Sequence, residues 1–288
     1  MSASDSISFR VRIMKPEDFP RCHWLRQQVG WNQTLADWRR FLGYDPEGCF
    51  VAEKEGLVVG TVCTIPYERK FGWVAMVIVD PAQQRQGIGT FLLNAGIEHL
   101  EAQGLTVKLD ATPQGKLLYD TLGFTDEYGA ARYEAGRIDA PVEDQGCEEL
   151  TLDDLEELEA FDKPIFGASR LPVLRSYLEI DPKLGFCRRE NGRLTGYILA
   201  REGSNAFHIG PWTATNADCA KRLLFAMLQR RQPERTFIDI VEPNLHVIPM
   251  LESLGFVFQR PFIRMFKGLN HHPGQPEFVY GMSGPELG

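Results

Sequence analysis

The 288-residue chain is long enough for about two domains, and its 43% hydrophobic and 24% charged residues are typical of a globular protein. A net charge of −8 argues against nucleic acid and anionic membranes as partners, because both bind basic surfaces. We expect neither a transmembrane helix nor a secretory signal, since no long apolar run and no basic leader occur. The six cysteines are scattered, which argues against a zinc site or disulfide scaffold and favours a cytoplasmic protein.

The chain repeats itself at a shift of about 132 to 136 residues. Identical residues recur in order, from Arg39 and Arg175 to Gly60 and Gly196 at the longer shift, and from Leu92 and Leu224 to Gly136 and Gly268 at the shorter one. The change of shift predicts a deletion of about four residues in the second copy, between positions 62 and 79 of the first. We therefore predict domains at 1–136 and 148–288, a linker at 137–147 and an extended closing segment at 269–288.

Local patterns predict an α/β (α+β) fold, a sheet with helices on its faces. In chain order the first copy is predicted to form a strand at 8–13, helices at 16–29 and 35–42, a strand pair at 49–53 and 57–66, a strand at 73–79, a helix at 87–103, a strand at 105–111, a short helix at 115–122 and a last strand pair opening at Phe124.

The most informative segment follows the apolar strand at 73–79. There a turn leads into a helix whose first turn holds Gly87 and Gly89. Several backbone N–H groups then point the same way at the positive end of the helix dipole, which predicts an anion site suited to a diphosphate. The dinucleotide fingerprint is excluded because its third glycine would be residue 92, which is Leu, and the Gly-Lys-Ser/Thr loop of nucleotide triphosphatases is absent.

These residues resemble the acyl-CoA motif of the GNAT acetyltransferase superfamily, Gln/Arg-x-x-Gly-x-Gly/Ala after a strand that ends in Val-x-Pro. Here the matching segments are Val79-Asp80-Pro81 and Gln84-Arg85-Gln86-Gly87-Ile88-Gly89. A second family feature, Leu-Tyr-x-x-Leu-Gly-Phe, is matched by residues 118–124. The resemblance implies two tandem GNAT domains, each a mixed, mostly antiparallel sheet flanked by helices.

The resemblance also implies site residues. The turn would bind the CoA diphosphate, the end of the preceding strand would pair with the pantetheine arm, and Tyr119 would protonate the leaving thiolate. The implied cofactor-binding residues are Met76, Val77, Ile78, Val79, Gln84, Arg85, Gln86, Gly87, Ile88, Gly89 and Thr90. No metal is implied, and a metal site built from the chain's histidines has no supporting Glu or Cys spacing.

One position departs from the family pattern. Many members carry a carboxylate base four residues before the Val of Val-x-Pro, and Ala75 stands there. Glu68, Asp110, Asp126 and Glu127 are alternative bases by neighbourhood only, and each could equally be a solvated or strand-end charge. For acceptor contacts we single out Trp31, Glu68 and Asp110, with Trp31 in the loop between the first two helices.

The second copy is predicted to have lost its site. At a shift of 132 residues, Gly87 and Gly89 become Cys219 and Lys221, and Tyr119 becomes Leu251. Side chains would then occupy the space of the phosphates. We therefore expect a degenerate GNAT-like domain and one CoA per chain.

The sequence thus predicts an acetyl-CoA-dependent N-acetyltransferase that acts by direct attack of a primary amine, with an unidentified, small-molecule acceptor. The alternative is a non-catalytic acyl-CoA-binding or regulatory protein of the same fold, and a longer acyl donor also stays open. We expect no nucleic-acid or membrane partner, and either a monomer with an intramolecular pseudo-dimer or a homodimer.

Overall fold

The computed structural model describes residues 9–138 and 145–288, so most of the predicted linker and the start of the first predicted strand lie outside the described residues. The chain divides into two compact units, 1–107 and 108–288. No helix of the described ranges combines the length and the apolar character needed to cross a bilayer.

The first unit is an antiparallel sheet with helices packed on it. Its strands β1 to β4 pair in chain order, and helix α3 packs against β2, β3 and β4. The elements are β1 Arg10–Ile13, α1 Phe19–Gln28, α2 Leu35–Tyr44, β2 Phe50–Lys54, β3 Leu57–Tyr67, β4 Phe71–Val79 and α3 Ile88–Glu101. A 3₁₀ helix, Pro81–Gln83, joins β4 to α3.

Strand β5, Thr106–Ala111, crosses the boundary between the units. The remaining elements are α4 Pro113–Thr121, β6 Thr125–Ala135, β7 Glu148–Glu149, α5 Leu155–Phe166, α6 Leu171–Ile180, β8 Gly185–Glu190, β9 Arg193–Arg201, β10 Phe207–Ala214, α7 Ala217–Arg230, β11 Thr236–Val241, α8 Ile248–Ser253, β12 Val257–Lys267 and β13 Val279–Gly281. The observed bounds match the predicted elements of the first copy closely, except at Phe124, where one long strand, β6, replaces the predicted strand pair.

The partners of β6 explain that difference. Although β6 ends the first copy in sequence, it pairs antiparallel with β12 on one side and with β11 on the other, and both belong to the second copy. The sheet of the second unit therefore runs β5-β12-β6-β11-β10-β9-β8-β7, with β13 beside β10. The boundary between the two sequence copies, predicted at residue 136, differs from the boundary between the compact units, which lies at residue 108. The boundary at 136 therefore stays a prediction about the sequence.

A buried ion pair ties β6 to β11. The guanidinium of Arg132 donates to both carboxylate oxygens of Asp239 at 2.7 Å, and His208 Nε2 lies 3.1 Å from the same carboxylate. Burial alone would raise the pKa of Asp239, but Arg132 and His208 overcome it and hold that pKa well below its ordinary value. This cluster fixes the last strand of the first copy inside the second unit.

Removing one partner should destabilise the protein strongly, because it leaves a buried charge without compensation. We expect Arg132→Met to lower the free energy of unfolding by about 3–5 kcal/mol in urea titrations. The control is Arg222→Met, whose exposed pair with Asp218 should contribute at most about 0.5 kcal/mol. The Arg132 contribution should be present above about pH 4, the ordinary pKa of an Asp, and should fade as the pH falls further. Equal effects of the two variants would contradict this.

Candidate functional site

The turn after β4 is held by Asp80 at its start. The Asp80 carboxylate accepts a hydrogen bond from Ala82 N at 2.9 Å and pairs with Arg21. Arg21 Nε in turn donates to Val58 O at 2.9 Å, which attaches the turn to β3. Residues 84–87 are left exposed beyond this anchor.

The backbone N–H groups of residues 84–90 donate to no acceptor within the described parts of the chain. Two left-handed residues shape this stretch, Arg85 with φ +62° and Gly87, the N-cap of α3, with φ +79°. The first N–H groups of a helix have no partner inside the helix, and they lie at the positive end of its dipole. The turn therefore forms an open cradle of backbone donors, an arrangement suited to an anion.

The two glycines keep this cradle clear on two sides. A Cβ at Gly89 would lie 3.4 Å from Val79 Cγ2, and one at Gly87 would lie 3.9 Å from the ring of Phe91. Positive charge is close by, since Lys54 Nζ donates to Gln83 Oε1 at 2.9 Å and to Gln86 Oε1 at 3.2 Å. The cradle thus suits a phosphate group rather than a side chain.

Strand β4 carries a bulge just before the turn. Ala75 and Ile78 of β4 are three residues apart, but their partners in β3, Cys63 and Thr61, are only two residues apart. Met76, within this bulge, has φ +55°. Thr61 Oγ1 fixes the bulge by donating to Met76 O at 2.7 Å. The backbone at Met76 and Val77 therefore departs from the ladder with β3. No local signal in the sequence identifies Thr61, because its partner depends on strand register.

Trp31 is held by a buried arginine that the sequence analysis missed. Arg26 is 3% exposed, and its Nη1 donates to Trp31 O at 3.0 Å. His23 lies beside Arg26, and burial together with that positive charge lowers the pKa of His23. Glu68, by contrast, lies exposed in the turn between β3 and β4 and pairs with Lys70 at 3.2 Å.

In the second unit, Tyr119 folds back over the first turn of α4. A Cβ at Gly115 would lie 2.9 Å from Tyr119 Cε2, and Gly115 N donates to the capping hydroxyl of Thr112 at 3.2 Å. The Tyr119 ring also packs on Phe124, with centroids 5.8 Å apart. Burial raises the pKa of Tyr119, so its phenol is a neutral hydrogen-bond donor at physiological pH.

The other candidate carboxylates in this unit are engaged. Both oxygens of Asp110 accept from Arg264 at 2.9 Å, and Glu127 receives hydrogen bonds from Lys108 and Asn270. Asp126 is exposed and pairs with Lys116 at 2.7 Å. The pairing gives Asp110 a structural role between β5 and β12, and its contact with an acceptor stays a prediction. No group of three or more His, Cys, Asp or Glu in the described ranges is arranged to hold a metal ion.

The second copy lacks the turn itself. Gly60 of β3 pairs with Val79 at the end of β4, and Gly196 of β9 pairs with Ala214 at the end of β10. The end of β4 therefore corresponds to the end of β10. A Cβ at Gly60 would touch Ile88 and Leu92, and one at Gly196 would touch Cys219 and Leu223, so the helices correspond as well. Eight residues, 80–87, lie between the end of β4 and Ile88 in the first copy, but only four, 215–218, lie between the end of β10 and Cys219 in the second, and the last two of these already belong to α7.

Two predictions are corrected by this correspondence. Four residues are missing after position 79, whereas the prediction placed the deletion between 62 and 79; only one residue is lost before position 79, since Gly196 and Ala214 are one residue closer in sequence than Gly60 and Val79. Cys219 corresponds to Ile88 rather than Gly87. The reason is that the buried helix face keeps its register on the sheet while the exposed loop shortens. The Asn216 side chain, which accepts from Cys219 N at 2.9 Å, now caps the helix where the first copy leaves its donors open.

Comparisons with known proteins agree with this architecture. The profile described as "Acetyltransferase (GNAT) family" matches residues 16–124, and that described as "Acetyltransferase (GNAT) domain" matches residues 158–281. The chain is a tandem GNAT protein. Its membership makes it an enzyme of the GNAT N-acetyltransferase family, and acyl transfer its reaction class.

Two curated proteins and one solved structure are similar to this tandem GNAT protein over different shares of the chain. Holothin acyltransferase from a Pseudoalteromonas species is 26% identical over 264 residues, which cover 90% of this chain and 87% of the relative. Mycothiol acetyltransferase from Thermomonospora curvata is 35% identical over 106 residues, 34% of this chain and 35% of the relative. A solved structure from Pyrococcus horikoshii shares the fold at a TM-score of 0.81 and 24% identity, covering 98% of this chain and 96% of that one.

The turn that contains Glu68 supports a stability test. Glu68 and Arg69 have φ of +49° and +57°, a left-handed conformation that Asn and Gly adopt at lower cost. We expect the double variant Glu68→Asn, Arg69→Gly to raise the free energy of unfolding by about 1 kcal/mol in urea titrations.

Lys70→Gln is the control, because it removes the ion pair of Glu68, as the double variant does, while both left-handed residues stay in place. An unchanged or lowered stability of the double variant would refute the strain argument. Raised stability together with a loss of turnover would support both the strain argument and the predicted acceptor contact of Glu68.

Proposed function

We propose that the protein transfers an acetyl group from acetyl-CoA to a primary amine of a small-molecule acceptor, and that the first copy performs this reaction. The observation that carries the proposal is the cradle at residues 84–90, which the first copy keeps and the second has lost by deletion. Its open N–H groups, with Arg85 and Lys54 beside them, would hold the two phosphates of CoA.

The bulge of β4 supports the placement of the pantetheine arm. Because Met76 and Val77 depart from the ladder with β3, their backbone groups can face a ligand that runs along β4 toward the turn. The backbone N–H groups there would also polarise the thioester carbonyl as negative charge develops on its oxygen. The glycines at 87 and 89 leave the phosphates room to reach the helix start.

The chemistry we propose is direct. The neutral amine attacks the thioester carbon, a C–N bond forms, and the tetrahedral intermediate collapses with cleavage of the C–S bond. Tyr119 gives its phenolic proton to the leaving thiolate, the proton released by the attacking nitrogen leaves to solvent, and the Tyr119 phenolate regains a proton from solvent. Direct attack is favoured over an acyl-enzyme because Cys63 is buried, and burial raises the pKa of this thiol well above its ordinary value.

The acceptor class is argued from two observations. Two relatives are named for the compounds holothin and mycothiol, and the acidic balance of this chain suits a cationic amine. Trp31, fixed by Arg26, and the exposed Glu68 are the acceptor contacts we propose. A cytoplasmic location and an intramolecular pseudo-dimer, or else a homodimer, belong to the same proposal.

Calorimetric titration with acetyl-CoA should give a stoichiometry of one. Gly87→Val and Gly89→Val should each weaken binding by at least tenfold, because a side chain would cover the open N–H groups. The matched control is Gly104→Val, since Gly104 has φ +75°, close to the +79° of Gly87, and has open space around it. Binding of two acetyl-CoA molecules, or of none at millimolar donor, would overturn the proposal.

The acid role of Tyr119 has a paired test. We expect Tyr119→Phe to lower kcat by about a hundredfold, at the lower edge of general-acid effects, with little change in the KM for acetyl-CoA. Gly115→Ala should also lower kcat, because the new methyl group displaces the Tyr119 ring, while helix propensity leaves the melting temperature equal or higher. A loss below threefold in Tyr119→Phe, measured as thiol release over a pH series, would remove Tyr119 from the mechanism.

A further inference from the structure

The closing segment enters the sheet of the second unit between β10 and β11. These two strands pair only over residues 207–209, and β13 then pairs with β10 at Trp212 and Thr213. On the other side, Met282 N donates to Asp239 O of β11 at 2.9 Å. The segment thus supplies hydrogen-bond partners to both strands just where they diverge.

The place that β13 fills corresponds to the pantetheine slot of the first copy. Since Ala214 corresponds to Val79 through the ladder positions of Gly196 and Gly60, Trp212 and Thr213 correspond to Val77 and Ile78. Those are residues along which we placed the pantetheine arm, so this correspondence rests on the proposed function. The presence of the segment between β10 and β11 does not.

The fit of the segment is close on every side. A Cβ at Gly281 would lie 3.3 Å from Trp212 Cβ and 3.6 Å from Ile238 Cγ2, one residue from each flanking strand. The Tyr280 ring packs on Trp212 with centroids 5.4 Å apart. At the far end, a Cβ at Gly210 would lie 1.9 Å from Met282 O, so only a glycine admits the segment there.

A buried side chain holds the entrance of the slot. Asn244 Nδ2 donates to Val279 O at 2.8 Å and to Pro276 O at 3.1 Å. Asn244 occupies the sequence position of Thr112, which in the first copy caps α4 instead. Farther along, Tyr177 donates to Ser283 O at 2.9 Å, and Arg201 pairs with Glu286 at 2.7 Å. Backbone and side-chain contacts together recognise an extended peptide.

We propose that the second copy has become a peptide-binding domain, and that its former pantetheine slot binds an extended segment of the type Val-Tyr-Gly-Met. In this chain residues 279–282 occupy it. The requirements follow from the contacts: a glycine between Trp212 and Ile238, an aromatic ring before it, and free backbone groups on both edges. The slot takes a peptide strand in place of a cofactor arm.

The test displaces the segment in the full-length protein and offers the slot a free peptide. In Gly281→Glu a carboxylate would have to lie between Trp212 and Ile238, so we expect the melting temperature to fall by roughly 5 °C. A synthetic peptide of residues 276–288 should then bind saturably and restore the melting temperature. The same peptide with Glu at position 281 should do neither, and the wild-type protein, with its slot filled, should bind neither peptide.

Leu269→Glu is the matched control, since Leu269 belongs to the same segment and is exposed. If Gly281→Glu does not fold, Tyr280→Ala, which removes only the ring contact with Trp212, takes its place. Equal melting temperatures of Gly281→Glu and Leu269→Glu, or no binding of the wild-type peptide by the displaced variant, would overturn the proposal.

Acetyl-CoA stoichiometry separates this proposal from the proposed function. We expect one acetyl-CoA in the wild type and in Gly281→Glu, because the second copy lacks the phosphate turn. Two in the variant would mean that the slot still takes pantetheine and would refute its conversion. If the wild type binds no acetyl-CoA, the proposed function fails, while the peptide experiment still decides whether the slot binds a strand.

Discussion

Diverging strands in a sheet leave backbone N–H and C=O groups that need partners, and this requirement governs both halves of the molecule. In the second unit β10 and β11 separate after Ile209, and the chain meets the requirement with β13. In the first unit the bulge at Met76 turns backbone groups of β4 out of the ladder with β3. We assign their partner to the pantetheine arm of a bound donor. Corresponding stretches of β4 and β10 thus differ: that of β10 pairs with β13, and for that of β4 we propose the donor as partner.

At the connection between strand and helix the second copy is shorter than the first. Four residues are missing where the first copy arranges its anion cradle, and Asn216 caps the shortened helix start. A helix that has a side-chain cap and no preceding loop offers few open donors to a phosphate. The buried face of α7 meanwhile keeps the packing of α3, as the contacts at Gly60 and Gly196 show. The two copies thus share the buried helix–sheet contacts and differ in the length of the exposed loop.

Local patterns in the sequence predicted the strands and helices of the first copy, because hydrophobic periodicity, glycines and prolines act over short distances. The turn and helix start after β4 were predicted for the same reason, and phosphate binding there stays a proposal. What failed was non-local. The partners of β6 come from residues more than 100 positions away, and the predicted pair at Phe124 is therefore a single strand. The place of the deletion was missed because sequence identity alone does not show which residues face each other across a ladder. Asn244 and Thr61 were missed as anchors since their partners, Val279 and Met76, depend on strand register.

The pairing of β6 also gives a physical reason for keeping a copy that has lost its cofactor turn. Strand β6 belongs to the first copy by sequence, yet β11 and β12 of the second copy satisfy its two edges. The buried pair of Arg132 and Asp239 would leave an uncompensated charge if these strands were separated. A chain that lost the second copy would expose both edges of an 11-residue strand and an unpaired arginine. The second copy therefore supplies the partners on both edges of β6, whatever its own slot binds.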